Sequence, residues 1–317
     1  MTAAPRVTVL GSMNMDISVT VPRLPGPGAT VLGSAARFAP GGKGGNQAVA
    51  AARLGARARM VGCVGDDDFG VRLTGALRAE SVDTSAVRLV PEMASGLALI
   101  TVDPDGENMI TVAAGANQAV GDAEVSAALA APGGVLVISA EIPVPAIAAA
   151  LARAAAKRVT CVLNLAPAPA AAARLLSGGV DWLVLNEPEA ATVLGHPVAG
   201  LAGARPAAVE LAQAGARHVV VTAGAQGAAF AGPDGAGAVP AFPVRAVDSV
   251  GAGDTFVGAL AIAVGADVPP GEAVRAACAA AAVAAARPGT QDAMPHPSDV
   301  LALTGVRWPL SKTQTPP

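Results

Sequence analysis

The sequence predicts an α/β fold built on a mainly parallel sheet, with a small antiparallel sheet laid over it. Two observations carry that prediction. Short β-branched apolar runs alternate with alanine-rich stretches of helical length, and two regions break the rhythm with the alternating pattern of hairpins. The runs Val7–Leu10, Val135–Ser139, Val159–Leu163, Trp182–Leu185 and His218–Thr222 read as strands covered on both faces. Between them Ala146–Ala156, Ala171–Leu176, Ala207–Ala214 and Glu272–Ala286 read as helices. Such alternation implies right-handed βαβ units, a parallel sheet, and ligands at the carboxyl ends of its strands.

The first irregular region, Ile17 to Phe38, places Val19, Val21, Val31 and Leu32 around the turn-rich Pro25-Gly26-Pro27-Gly28. The second, Gly96 to Thr111, sets Leu97, Leu99, Ile100 and Val102 before Asp103-Pro104-Asp105-Gly106, with Met109, Ile110 and Val112 after it. Both read as hairpins, and a small antiparallel sheet made from them would cover a site on the main sheet. No linker or low-complexity segment divides the chain. Residues 1–317 are therefore expected to form one domain, with the smaller sheet drawn from about 15–40 and 96–113, and with a frayed tail after Trp308. The similar stretches Gly45-Asn46-Gln47-Ala48-Val49 and Ala116-Asn117-Gln118-Ala119-Val120 have different flanks and do not make a repeat.

The chain has 317 residues, 52% hydrophobic and 14% charged, with a formal net charge of −3. Its mean hydropathy of +0.51 is raised by alanine. The longest apolar run, Ala276 to Ala286, covers about half of the roughly 20 residues a membrane span needs. Its start is strand-like, with no charged segment leading a long apolar one, so a soluble cytoplasmic protein is expected. Cys63, Cys161 and Cys278 are scattered, which argues against a disulfide framework or a structural zinc. Lysine is confined to Lys43, Lys157 and Lys312, and aromatics are 2%, too few for a nucleic-acid surface. The expected partner is a small molecule.

Four stretches carry chemistry. Asp248-Ser249-Val250-Gly251-Ala252-Gly253-Asp254 leads into the apolar run Phe256, Val257, Ala259, Leu260. Free N–H groups at a helix N-terminus form an anion site, and glycine lets the backbone approach it. An aspartate beside that anion makes sense as a base taking a proton from an attacking hydroxyl. An N-cap on an ordinary helix would look the same. The Walker pattern is absent, and no G-x-G-x-x-G completes itself. Gly41-Gly42-Lys43-Gly44-Gly45-Asn46-Gln47, ahead of a helix over Ala48–Leu54, indicates an ordered loop approaching a ligand whose hydroxyls Lys43 and Asn46 can bind. Asn14 and Asp16 follow the first strand; the pair suits vicinal hydroxyls or a turn. Asn186-Glu187-Pro188-Glu189 offers oxygen ligands for Mg²⁺, or a capped helix start.

Taken with Gly11–Asp16, Gly65-Asp66-Asp67 and Thr222-Ala223-Gly224, these stretches resemble, in order and spacing, the ribokinase/PfkB family of carbohydrate kinases from about Val7 to Pro295. The branch acting on ribose is the most similar. The G-G-K-G-x-N-Q and D-[ST]-x-G-A-G-D stretches are specific to the family. The resemblance implies a three-layer α/β/α sandwich with a β lid, and transfer of the ATP γ-phosphate to a pentose hydroxyl, O5 of ribose. Asp254 matches the base and Gly251, Ala252 and Gly253 its anion hole, while Asn14, Asp16, Gly42, Lys43, Asn46 and Glu141 match sugar contacts. Asn186 and Glu189 match the motif for Mg²⁺ and phosphates; Thr222, Gly224, Gly227 and Gly253 match nucleotide contacts, with Cys278 near the adenine. A K⁺ site is implied at the Asp248 side chain and the carbonyls of Val250, Ala284, Arg287 and Gly289. The lid implies a homodimer.

Three positions depart from the family pattern. Ala293 replaces a serine near the cation, Leu165 a proline, and Cys278 a polar residue. The rival readings are a kinase of the same fold acting on deoxyribose, fructose or a nucleoside such as adenosine, and a catalytically silent sugar-binding protein. The intact Lys43, Asp248, Asn186, Glu189 and Asp254 argue against the silent protein.

Overall fold

The computed structural model describes residues 4–130 and 134–308; the tail after Trp308 lies outside them. In chain order the first half contains β1 (Arg6–Leu10), β2 (Asn14–Thr20), β3 (Arg37–Gly41), α1 (Lys43–Arg53), β4 (Arg57–Gly65), α2 (Asp68–Ala79), β5 (Asp83–Val90), β6 (Gly96–Val102), β7 (Asn108–Ala113) and α3 (Asp122–Ala128). There follow β8 (Val135–Ser139), α4 (Val144–Lys157), β9 (Thr160–Asn164), α5 (Ala172–Ser177), β10 (Val180–Asn186), α6 (Glu187–Leu194), α7 (Gly200–Gln213) and β11 (Ala216–Thr222). The chain then forms β12 (Gly227–Gly232), β13 (Gly235–Pro240), α8 (Ala252–Gly265), α9 (Pro270–Ala285) and α10 (Pro297–Thr304).

Nine strands make the main sheet, in the order β13-β12-β11-β10-β9-β8-β1-β4-β5. All pairings from β5 across to β11 are parallel, and β12 and β13 add an antiparallel edge. Side chains alternate along each strand between two cores. Val135 and Val137 face one with Phe256, Leu260 and Val274; Leu136 and Ile138 face the other with Ile147 and Leu211. Helices α1, α2, α8, α9 and α10 cover the first face, and α3 to α7 cover the second. The result is a three-layer sandwich whose strands are apolar throughout because both faces are covered.

Every strand predicted for the main sheet is present to within a few residues. The predicted helix over Ala207–Ala214 begins seven residues earlier in chain order, at Gly200, and carries Pro206 inside it. The helix predicted over Ala48–Leu54 starts at Lys43, so most of the glycine-rich stretch is its first turn and not a loop. Gly44 explains why: a Cβ there would lie 2.7 Å from both the N and O of Ser12, so only a bare helix turn fits against β1 and its exit.

The smaller sheet has the order β3-β2-β6-β7. Its outer pairs are antiparallel, as expected, but the central β2–β6 pair is parallel, so the sheet is mixed. The two strands run the same way because each leaves the main sheet from the carboxyl end of a parallel strand region, one after β1 and one after β5. Val31 and Leu32, expected in the first hairpin, belong to neither strand; Leu32 is 90% exposed. Asn14 and Asp16 consequently sit in β2 itself, two residues apart and on one face, not in a turn.

Candidate active site

Asp254 occupies the first turn of α8, just after Gly251, whose φ of +78° turns the chain into the helix. The N–H groups of Gly253 and Asp254 have no acceptor among the described residues, whereas that of Ala252 donates to Ser249 O at 3.2 Å. Gly251 N–H likewise has no acceptor among the described residues, so three N–H groups around the helix head are uncommitted, at Gly251, Gly253 and Asp254 where Gly251, Ala252 and Gly253 were expected. The Asp254 carboxylate is only 8% exposed and both of its oxygens are held. Asn46 Nδ2 donates to Oδ2 at 2.9 Å, and Gln47 Nε2 donates to Oδ1 at 3.1 Å.

Those amides come from the first turn of α1 and are themselves anchored. Gln291 Nε2 donates to Asn46 Oδ1 at 3.1 Å, and Gln47 Nε2 also donates to Asn164 Oδ1 at 2.9 Å. Gln47 Oε1 is buried and accepts no hydrogen bond among the described residues. The sequence pattern assigned Gln47 no task and missed Asn164 and Gln291. Nothing local marks them, since their partners are distant in the chain.

Lys43 opens the same helix. Its backbone N–H donates to Glu141 Oε2 at 3.2 Å, and the same oxygen accepts from Ser12 Oγ at 2.5 Å. Glu141 stands two residues past β8, at the carboxyl end of its strand as predicted. Burial works to lower the Lys43 pKa, but the carboxylates of Asp254, Glu141 and Glu189 outweigh it and hold the ammonium above its ordinary value. Asp16 is raised as well: burial first, then the charges of Glu141 and Asp254, push it up to about 7. Gly41 leaves room for that carboxylate, since a Cβ there would come within 2.1 Å of Asp16 Oδ2. Gly42 has φ +82° and lies against the backbone of Met13 and Asn14. The sugar-contact residues implied by the resemblance therefore cluster around Asp254.

Asn186 and Glu189 form a reciprocal capping box at the head of α6. Asn186 Oδ1 accepts from Glu189 N–H at 2.9 Å and Glu189 Oε2 from Asn186 N–H at 2.8 Å. Glu189 still has Oε1 uncommitted among the described residues. Burial, with Asp254 adding to it, raises the Glu189 pKa, while Asn186 N–H and Lys43 oppose the rise. The stretch is a capped helix start, and its Glu189 carboxylate also feels the charges of Lys43 and Asp254.

Asp248 bridges two loops. Its Oδ1 accepts from Val250 N–H at 3.0 Å and its Oδ2 from Gly289 N–H at 3.1 Å, while Val247 and Asp248 N–H both donate to Ala285 O. Ala284 O already accepts from Arg287 N–H, and the Arg287 side chain turns away to pair with Asp299. The proposed cation residues are brought together around Asp248. Ala293 is fully buried and supplies no side-chain oxygen.

Thr222 ends β11, its hydroxyl donating to Leu185 O at 3.3 Å. Gly224 has φ +51° and open space beside it. Gly227 is fixed by the fold, since a Cβ there would lie 2.0 Å from Val239 O in the β12–β13 hairpin. Cys278, on α9, is 7% exposed and packs in the core; burial raises its thiol to about 12.

A family model described as pfkB family carbohydrate kinase matches residues 4–297. The chain belongs to the pfkB family of carbohydrate kinases. A pfkB relative, the ribokinase of Haemophilus influenzae, is 36% identical over 297 residues, 93% of this chain and 97% of that one. A deoxyribokinase of Salmonella typhi is 33% identical over 257 residues, 80% of this chain and 84% of its own length. The structure of Arabidopsis thaliana ribokinase complexed with ribose and ATP matches with a TM-score of 0.85 at 30% identity, covering 95% of this chain and 99% of that one. This pfkB chain is accordingly an ATP-dependent sugar kinase, and among the described residues no helix is long and apolar enough to cross a membrane.

The raised Asp16 pKa has a consequence for stability. A carboxyl bound more tightly to its proton in the folded state stabilises the fold below pH 3.8 and loses that contribution as pH rises to about 7. Asp16→Asn removes this dependence. Urea midpoints of the variant and the original chain are expected to differ more at pH 8 than at pH 5, with the variant the more stable at pH 8. An equal difference at both values would show that Asp16 titrates normally.

Proposed function

We propose that this kinase transfers the γ-phosphate of ATP to O5 of ribose, with Asp254 as the general base. One observation carries the reading: Asp254 is held by Asn46 and Gln47 beside the uncommitted N–H groups of Gly251, Gly253 and Asp254 at the head of α8. A sugar hydroxyl facing that carboxylate gives up its proton to it as the oxygen attacks phosphorus. The N–H groups of Gly253 and Asp254, with the helix dipole, stabilise the charge on the transferred phosphoryl group. Asn14, Asp16, Gly42, Lys43, Asn46 and Glu141 hold the sugar, with Asp16 able to donate or accept because its pKa lies near neutrality.

Thr222, Gly224, Gly227 and Gly253, with Cys278 behind them, form the proposed nucleotide side. Mg²⁺ fits Glu189, whose Oε1 is free to accept a bound water, and would neutralise phosphate charge when present. K⁺ fits the Asp248 carboxylate and the carbonyls of Val250, Ala284, Arg287 and Gly289, and Ala293 leaves that set one side-chain oxygen short. Two copies are proposed to pair through the lid, where Leu99, Met109, Ile110 and Val112 are all about half exposed.

The decisive experiment is ADP formation across ribose, deoxyribose, fructose and adenosine, with ribose expected to have the highest kcat/KM. A higher value for deoxyribose would reassign the substrate within the family. Asp254→Asn is expected to lower kcat by about 10²-fold or more while ribose and ATP still bind by calorimetry. Turnover near the original level would remove Asp254 from the mechanism. Asp248→Ala is expected to lower activity and to abolish its response to added K⁺; an unchanged K⁺ titration would sink the cation site. Sedimentation of the chain at micromolar concentration checks the dimer.

A further inference from the structure

We propose that Asn117 is a positioning residue for the sugar subsite, fixing the Asn14 amide so that its nitrogen faces the ligand. Asn117 lies in the short turn Gly115–Ala119 that follows the lid strand β7, and it is 1% exposed. Three hydrogen bonds join it to the start of β2. Met13 N–H donates to Asn117 Oδ1 at 2.9 Å, while Asn117 Nδ2 donates to Met13 O at 3.2 Å and to Asn14 Oδ1 at 2.8 Å.

The backbone dictates the polarity of this chain of contacts. Met13 N–H can only donate, so the Asn117 atom it meets is the oxygen. The remaining Asn117 atom is then the NH₂ group, which can only donate. The Asn14 atom it meets must therefore be Oδ1, which leaves Asn14 Nδ2 turned outward. Asn14 is 2% exposed, yet Nδ2 is neither sealed off nor bonded to any described protein group. It stands as a pre-oriented donor for a lone pair of a sugar oxygen. Asn14 and Gly96 are partners in the parallel β2–β6 register. A Cβ at Gly96 would fall 2.2 Å from Asn14 Oδ1 and 2.3 Å from Asn117 Nδ2. The lid strand is thus bare where the two amides meet.

This inference rests on the reading that Asn14 touches the sugar, and the test separates the two. Calorimetry and ADP formation with the unaltered chain and ribose come first; absence of both would sink that reading alone. Asn117→Asp keeps an acceptor for Met13 N–H but cannot donate to Asn14, so Asn14 reverses and offers oxygen to the ligand. The ribose KM and Kd are expected to rise about tenfold or more, as for one hydrogen bond replaced by an unpaired polar group. ATP KM is expected to stay within about twofold, since ATP binds at other residues. In the Asn14→Ala background the same substitution is expected to change ribose affinity by less than about twofold, because the group it orients is gone. Gly96→Ala, which wedges the two amides apart, is expected to give the same sugar-selective loss. Effects of Asn14→Ala and Asn117→Asp that multiply, or sugar and ATP affinities that fall together, would overturn the proposal. So would loss of folding in both Asn117→Asp and Gly96→Ala while Asn14→Ala stays folded, which would make Asn117 a stability residue only.

Discussion

The candidate site depends on how closely α1 and α8 approach. A Cβ on Gly258 would lie 2.8 Å from the Ala50 Cβ and 2.9 Å from Gln47 O, so the helices meet almost backbone to backbone. That approach, at residues far apart in the chain, brings the amides of Asn46 and Gln47 onto the Asp254 carboxylate. The other end of α1 is equally tied. Arg53 pairs with Glu80 and donates to the carbonyls of Gln291 and Met294, fixing the segment whose Gln291 side chain backs Asn46. Helix α1 is therefore braced at both ends, and Asp254 inherits its orientation from that bracing.

The arrangement has an electrostatic counterpart. Asp254, Glu141 and Glu189 crowd around one ammonium, Lys43, and the charges of Glu141 and Asp254 raise Asp16 beyond the effect of burial alone. Gln47 shows that the site is not arranged for stability. Its Nε2 serves two acceptors while Oε1 is buried without a partner, an arrangement that costs about 1–3 kcal/mol. Replacement of Gln47 by an apolar residue of similar volume would remove that penalty but leave Asp254 held by Asn46 alone.

The sheet was legible because its strands are apolar on both faces and bounded by turn residues, a local pattern. Asp254, Lys43 and Asp248 were legible because glycines beside a rare charge mark close backbone approach. The head of α1 was not: Gly44 and Gly45 have poor helix propensity, and only packing against the exit of β1 makes them helical. The hairpin β12–β13 escaped because its glycines and alanines lack a β-branched signature. Asn117, Asn164 and Gln291 were hidden for a third reason. Each acts through a partner that the topology alone brings near, and the likeness between the two Asn-Gln stretches hid two unrelated tasks: Asn46 steadies the base, Asn117 steadies Asn14.

The alanine-rich packing of α8 and α9 also decides where disorder remains. A buried alanine has no rotamers to lose, so ordering these two helices costs little side-chain entropy. Every residue of β7 is exposed, and its side chains keep their rotational freedom. Asp254 thus belongs to the part that folding has already immobilised, whereas Asn14 and Asp16 share a sheet with the part it has not. The remaining entropy must be removed when a ligand settles under the lid. Affinity for a sugar is therefore weaker than its hydrogen bonds alone would provide.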